Sequence, residues 1–210
     1  MHHRQDRRYC RGRLSGRVAN SDCGQAVGLY IVAVAAFLFL AFAYFAVGQA
    51  TVARNGAQTA ADAAALGAAL EARDSIRDEF LAALEGGDVD ALKELVAGDT
   101  INDAGACAAA GGYADDNHAD VTSCPGANVP LSYSVGIQAQ GSVGKSVIEG
   151  TDTVFATAHA TAVIDPLCVF DHKDGDAFVF TCEDGAVTVD PTADGFELQL
   201  SEFFSVHLSE

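Results

Sequence analysis

The sequence contains no tryptophan, one methionine and four prolines, and aromatic residues make up 8% of its 210 residues. So few rings argue against an aromatic-lined platform for sugars or nucleic-acid bases. Basic residues are also scarce, because 12 Lys and Arg stand against 29 Asp and Glu, a formal net charge of −17. A nucleic-acid binder needs a basic face to displace counterions from phosphates, so this balance predicts no nucleic-acid partner.

The charged residues are distributed unevenly along the chain. Residues 1–25 carry six arginines and two aspartates, whereas residues 54–210 carry six basic and 27 acidic residues. Residues 26–47 (AVGLYIVAVAAFLFLAFAYFAV) contain no charge. As a helix they would be about 33 Å long, which matches a hydrocarbon core of roughly 30 Å. Because basic flanks stay in the cytoplasm, we expect a single-pass cell-membrane protein with a cytoplasmic N-terminus and an extracytoplasmic acidic part.

A cleaved secretory signal is the alternative interpretation of the same segment. It has a basic start, and Ala41-Phe42-Ala43 fits a small-residue cleavage site. The apolar run is longer than the roughly 7–15 residues of a signal peptide, and it continues past that site. A membrane helix is therefore favoured, and both interpretations export the C-terminal part.

The patterns beyond the span predict an α+β fold. Residues 48–86 are rich in alanine and predict an exported helix that ends at the paired glycines 86 and 87, with a short helix over 88–97. Residues 87–210 form an acidic extracytoplasmic domain that is mainly β from about residue 129. Alternating apolar positions there predict antiparallel strands at 131–140, 153–164, 177–182, 186–189, 196–200 and 204–208. Asp-Gly pairs at 174–175, 184–185 and 194–195 indicate hairpins.

Residues 24–72 resemble the N-terminal module of the Flp-pilus assembly TadE/TadG-like proteins. The resemblance lies in an apolar span followed by Gln58 and the string 61–69 (ADAAALGAA). More loosely, Cys107, residues 117–121 (NHADV) and Cys124 resemble actinobacterial members. The resemblance implies a pilin-like architecture and a pseudopilin-like or accessory membrane component of a Tad pilus or related secretion system. Its partners would be the lipid membrane and other Tad subunits.

Two sets of site residues follow from this resemblance. Prepilin peptidase cuts such proteins after a glycine, for which Gly24 is the candidate, although Leu29 stands where a Glu often follows. Processing at Gly24 or by signal peptidase therefore stays open. The candidates for packing against neighbouring helices are Ala61, Asp62, Ala64, Ala65, Leu66 and Ala68.

Four cysteines lie in the exported part, where disulfides persist. They allow three connectivities, of which sequence proximity favours Cys107–Cys124 and Cys168–Cys182. Each bridge would stabilise the fold by about 3 kcal/mol in the loop-entropy description. A zinc site is disfavoured because the chain has no C-x-x-C pair and its histidines are scattered.

Two motifs resemble ligand sites but lack the required context. Residues 139–146 (AQGSVGKS) fit a permissive phosphate loop, yet the next residues predict a second strand instead of a helix, so we expect a hairpin loop and no nucleotide. An acidic run could bind calcium weakly, but Lys173 breaks the EF-hand spacing. That run comprises Asp171, Asp174, Asp176, Glu183 and Asp184.

The sequence shows no catalytic signature, and His159 lies in a predicted strand without a partner at a catalytic spacing. We therefore predict a non-enzymatic, membrane-anchored pilus-assembly component without a cofactor. The alternatives left open are a membrane-tethered binding module, with calcium as the candidate ligand, and an exported enzyme without a recognisable motif.

Overall fold

The computed structural model describes residues 25–98, 105–128, 130–144 and 150–209. Contacts divide the chain into two units, Met1–Phe42 and Ala43–Glu210. The described part of the first unit is helical, and the second unit combines helices with antiparallel sheets. The α+β class predicted from the sequence is therefore confirmed.

The first helix, α1, runs from Gln25 to Ser75. It contains no proline, and its many alanines and leucines are strong helix formers. Near its end the Ser75 hydroxyl donates to the Ala72 carbonyl at 2.6 Å, so the side chain hydrogen-bonds to the backbone of its own helix. After a turn at Ile76, α2 spans Arg77–Gly86. The helical chain thus reaches residue 86, as the sequence predicted, with one interruption.

Helix α2 ends, and the next helix begins, at a residue that favours that position. Gly87 ends α2 with φ +68°, a left-handed conformation that costs glycine little. Helix α3 spans Val89–Ala97, and its N-cap Asp88 accepts a hydrogen bond from the Ala91 amide at 3.1 Å. The helix predicted at 88–97 is therefore confirmed. Helix α4, Ala106–Asp116, was not predicted.

The described residues that follow contain eight strands, all paired antiparallel. Their bounds are β1 Ala119–Ser123, β2 Gly126–Asn128, β3 Leu131–Ser142, β4 Phe155–Pro166, β5 Cys168–Asp174, β6 Ala177–Cys182, β7 Gly185–Val189 and β8 Phe204–Leu208. The larger sheet has the order β1-β3-β4-β8, with β2 also paired to β3, and the smaller sheet has the order β5-β6-β7. The predicted strands that became β3, β4, β6, β7 and β8 are confirmed.

Two of the three Asp-Gly pairs, at 174–175 and 184–185, lie at turns between paired strands of the smaller sheet. Asp174 pairs with Ala177 across a two-residue turn between β5 and β6, and Cys182 pairs with Gly185 across the next turn.

The predicted strand at 196–200 is wrong, because residues 196–199 adopt no regular structure and Leu200 starts a 3-10 turn. Leu198 and Leu200 are both buried, so apolar and polar residues alternate in this part of the sequence as they would in a strand. The Leu198 carbonyl accepts from Arg77 Nη1 at 2.7 Å in place of a strand partner.

One hydrophobic core joins the helices of the second unit to both sheets. Aromatic rings link α2 to the smaller sheet and the C-terminal turn: the Phe80 ring centroid lies 5.1 Å from that of Phe203, and Phe203 lies 5.0 Å from Phe180. Tyr133 and Ile137 bring β3 into the same core. Fully burying side chains of this size contributes about 1.5–3 kcal/mol each.

Candidate functional site

The second half of α1 presents a continuous buried face made almost entirely of alanine. Its members recur at steps of one, three or four residues, the spacing of one broad helical face. Each is at most 2% exposed: Ala57, Ala60, Ala61, Ala64, Ala65, Ala68, Ala69 and Ala72. Alanine lets a helix backbone approach its neighbours closely, so this face packs tightly into the core of the chain's own domain.

The structure assigns the six residues proposed for helix packing to different environments. Ala61, Ala64, Ala65 and Ala68 are fully buried against the same chain, so they present no surface to another subunit. Leu66 is partly buried and packs against the same core. The string 61–68 therefore holds α1 to its own domain, whichever subunits the protein contacts.

Asp62 lies at the edge of this face and is fixed by a neighbour. Its Oδ1 accepts from Gln58 Nε2 at 2.8 Å, and Gln58 Nε2 also lies 3.3 Å from the His159 carbonyl oxygen on β4. A surface cleft of about 280 Å³ opens beside these residues, with Thr161 in its lining. His159 contributes its backbone carbonyl to this contact, and its side chain is exposed. The arrangement positions the helix on the sheet and brings no nucleophile and base together.

Gly67 of α1 lies directly against Tyr113 of α4. A β-carbon at this position would lie 2.7 Å from Cε2 and 2.9 Å from Cγ of Tyr113, closer than real side chains approach. The tyrosine ring thus covers the helix backbone at Gly67. Sequence reasoning missed this pair because Gly111 and Gly112 weaken the helical pattern of α4.

The first part of α1 has the opposite character. One stretch among the described residues, Val27–Gly86, is long and apolar enough to span a membrane by length and composition. Its most apolar 18-residue window has a mean hydropathy of 2.5, and none of that window is buried. Leu29 is 77% exposed and Phe37 is 73% exposed. Large apolar side chains left uncovered in this way mark a surface meant for lipid or for another protein.

The described part of the chain contains two disulfides, and each joins cysteines that are neighbours in sequence. Cys107 of α4 bonds to Cys124, which lies between β1 and β2, with a Cα–Cα distance of 5.9 Å. Cys168 bonds to Cys182, its direct partner across β5 and β6. Both disulfides therefore link segments that are close in sequence. One joins α4 to the larger sheet, and the other lies within the smaller sheet.

The acidic run considered for calcium is not assembled into a site. Its members lie on or beside the hairpins of the smaller sheet, and all are exposed. Within the described ranges, no group of three or more His, Cys, Asp or Glu side chains is placed to hold a metal ion. Lys173 instead places its ammonium 4.7 Å from the Phe178 ring centroid, a cation–π contact on the same hairpin.

The phosphate-loop-like motif lies in a β-hairpin. Residues 139–142 belong to β3, Ser142 pairs with Phe155 of β4, and the Val143 amide donates to the Val154 carbonyl at 2.8 Å. The next described elements are a 3-10 turn at Thr151–Thr153 and the antiparallel strand β4, and neither provides a helix N-terminus for a phosphate. Lys145 and Ser146 lie outside the described residues, as does Gly24, the candidate cleavage site.

A groove of about 620 Å³ lies between α3 and the start of β5. Val96, Leu167, Val169 and Phe170 form its apolar lining, and Lys93 lies at its edge. It contains no paired acid and base, so its chemistry is that of an apolar contact surface.

Comparison with known proteins connects the helix to a family. Residues 24–73 match the family described as putative Flp pilus-assembly TadE/G-like, which accounts for about a quarter of the chain. No curated protein and no solved structure matches the chain. The match covers both parts of α1, the exposed apolar part and the alanine-rich buried part, and it supports a role related to pilus assembly.

Proposed function

We propose that this protein is a non-enzymatic, membrane-anchored component of a Tad/Flp-type pilus assembly or related secretion system, with a pseudopilin-like organisation. The observation that carries the proposal is that the family match begins in the exposed apolar stretch of α1 and ends in the alanine face buried in the domain. One helix thus both anchors the protein and forms part of the domain core. Residues 26–47 cross the membrane, and the acidic domain lies outside the cytoplasm.

The surface that meets other subunits lies on the exposed part of α1, because the alanine face is already covered. Gly28 has no atom within 4 Å of the position that a β-carbon would take, so its face is free. In membranes, helices associate where small residues allow close backbone approach. A bulky side chain at position 28 would separate such helices without touching the core of the domain.

The full chain is purified from detergent-solubilised membranes, and the amount of other Tad subunits that co-purify with it is measured for each variant. Gly28→Leu is expected to reduce co-purification, whereas Leu29→Ile, a volume-conserving change at the adjacent exposed position, retains it. If both variants retain the other Tad subunits, the Gly28 face is not part of the interface. Absence of Tad subunits from the wild-type preparation would contradict the proposed function itself.

A further inference from the structure

A small apolar surface remains uncovered outside the apolar stretch of α1. Val154 is 53% exposed and Phe155 is 42% exposed, and they are adjacent residues at the start of β4. They lie where the pairing of β3 with β4 ends, since Phe155 is the partner of Ser142. We call Val154 and Phe155 the hairpin tip.

Two contacts fix the position of the hairpin tip along α1. Gln58 Nε2 lies 3.3 Å from the His159 carbonyl oxygen, which ties one level of the helix to β4. At the hairpin end, a β-carbon on Gly144 would lie 3.9 Å from Gln49 Oε1. Both contacts belong to the second unit of the chain, so the helix and the hairpin run alongside each other within it.

The dimensions of helix and strand agree with this alignment. From Gln58 back to Gln49 the helix rises about 13.5 Å, at roughly 1.5 Å per residue. From His159 back to Phe155 the strand covers about 13 Å, at roughly 3.3 Å per residue. Phe155 is therefore level with Gln49, and Val154 is nearer still to Val47.

That level is where the uncharged apolar run ends. Tyr44, Phe45 and Val47 on the last turns of the run are 82%, 63% and 65% exposed, so no part of the domain covers them. Aromatic and apolar side chains at such a level lie in the membrane–water interface. By this alignment the exposed apolar side chains of the hairpin tip lie at the same level along the helix as the end of that run.

We propose that the hairpin tip rests in the interfacial layer of the membrane that α1 spans, so that the chain contacts lipid at two places. This inference rests on the proposed membrane anchoring and adds a second contact to it. The contact would hold the domain at a fixed height above the bilayer.

The absence of tryptophan makes a direct test available, since a single introduced indole reports its own surroundings. The full chain is reconstituted in phosphatidylcholine vesicles, with or without bromine atoms near the carbonyl end of the acyl chains. Phe155→Trp is expected to lose emission in the brominated vesicles relative to the unbrominated ones, because an indole in the interface lies next to the bromine atoms. Val154→Trp provides the same readout if the first variant does not fold.

A matched control is Val169→Trp, because Val169 is 65% exposed and lies beyond the far end of β4. Eleven residues of strand separate Phe155 from Pro166, about 36 Å, so this indole is expected to show no bromine quenching. Quenching of a tip indole no greater than that of Val169→Trp would overturn the inference. Blue-shifted emission at the tip without quenching would indicate that a protein surface covers it, and would overturn it equally.

Phe37→Trp separates failure of this inference from failure of the proposed anchoring. An indole at position 37 is expected to be quenched by lipids brominated in the middle of the acyl chains. If that indole is quenched and the tip indole is not, the second contact is absent and the anchor stands. If neither is quenched, the chain does not span the bilayer, and both proposals fail. The test does not depend on orientation, because the tip lies beside the helix in either leaflet.

Discussion

The ring of Tyr113 occupies the space that the β-carbon of an alanine at position 67 would need, so Gly67 and Tyr113 are matched to each other. In an isolated helix, replacing glycine with alanine is favourable by roughly 1 kcal/mol. In this protein the added β-carbon would have to displace the Tyr113 ring, and the cost of doing so opposes that gain. The two residues should therefore be energetically coupled.

Gly67→Ala is expected to leave the stability of the full chain unchanged or lower it, whereas in a Tyr113→Ala background the same change should raise it by about 1 kcal/mol. A double-mutant cycle of the unfolding free energies measures the difference. Equal effects of Gly67→Ala in both backgrounds would show that the ring does not constrain the helix.

Ala64→Leu and Ala68→Leu are each expected to destabilise the domain by about 1–3 kcal/mol, because the added atoms have no space in a fully packed core. Thr59→Leu is the matched control, since Thr59 lies exposed on the same helix. Thermal unfolding in detergent compares the three variants. If Ala64→Leu and Thr59→Leu unfold at the same temperature, the alanine face is not packed as described.

Removing a disulfide should also destabilise the domain. The double variants Cys107→Ser with Cys124→Ser, and Cys168→Ser with Cys182→Ser, are each expected to lose about 3 kcal/mol. Cys10→Ser serves as the control, because Cys10 belongs to the segment that we expect in the cytoplasm. Peptides from unreduced protein should show the two local pairs by mass spectrometry, and crossed pairs would contradict the structure.

The proposed topology is testable with protease. Cells stripped of their wall are treated with protease from outside, and antibodies then detect the N-terminal segment and the acidic domain separately. We expect loss of the domain and protection of the N-terminal segment, because basic flanks remain in the cytoplasm. Protection of the domain in intact cells, with digestion after lysis, would reverse the assigned orientation.

The pKa of Asp190 lies below its ordinary value, chiefly because the Thr192 hydroxyl donates to Oδ1, at 2.6 Å, with the Thr192 amide as the second donor. Thr192→Val removes the stronger donor and should raise this pKa towards the ordinary value. NMR titration of the Asp190 carboxyl carbon measures the change. An identical titration in both proteins would show that the hydroxyl bond is absent in solution.

The sign of the resulting pH dependence follows from linkage. A carboxyl whose native pKa is below its unfolded value contributes stability above the unfolded pKa and loses it as the pH falls through the native pKa. The valine variant should therefore show a smaller loss of stability on acidification than the wild type. Asp190 lies at the surface and is partly exposed, so solvent screens the interaction and we expect the effect to be small.

Long periodic segments were predictable from the sequence, and short or interrupted ones were not. Strand β4 kept the bounds of its alternating pattern to within two residues, because each face has a different environment. Helix α4 was missed since its paired glycines weaken the pattern, and β5 was missed since the residues after Phe170 are polar and exposed. Local periodicity carries no information about such elements when tertiary packing fixes them.

The candidate site was predictable in its residues and not in its contacts. The string 61–68 identified a packing surface, but alanine packs equally well against a neighbouring subunit or against its own domain. Only the positions of the sheets and of Tyr113 decide between these, and those depend on residues far away in sequence. The same holds for Gln49 and Gly144, which no pattern connects.

The order of the disulfides along the chain has a consequence for biogenesis. The two loops enclose separations of 17 and 14 residues and neither overlap nor nest. In the topology proposed above, the domain crosses the membrane with its N-terminal part first, so Cys107 meets Cys124, and Cys168 meets Cys182, as the next cysteine to appear. Oxidation in order of emergence thus yields the native pairing, and maturation of this domain should proceed without disulfide isomerase.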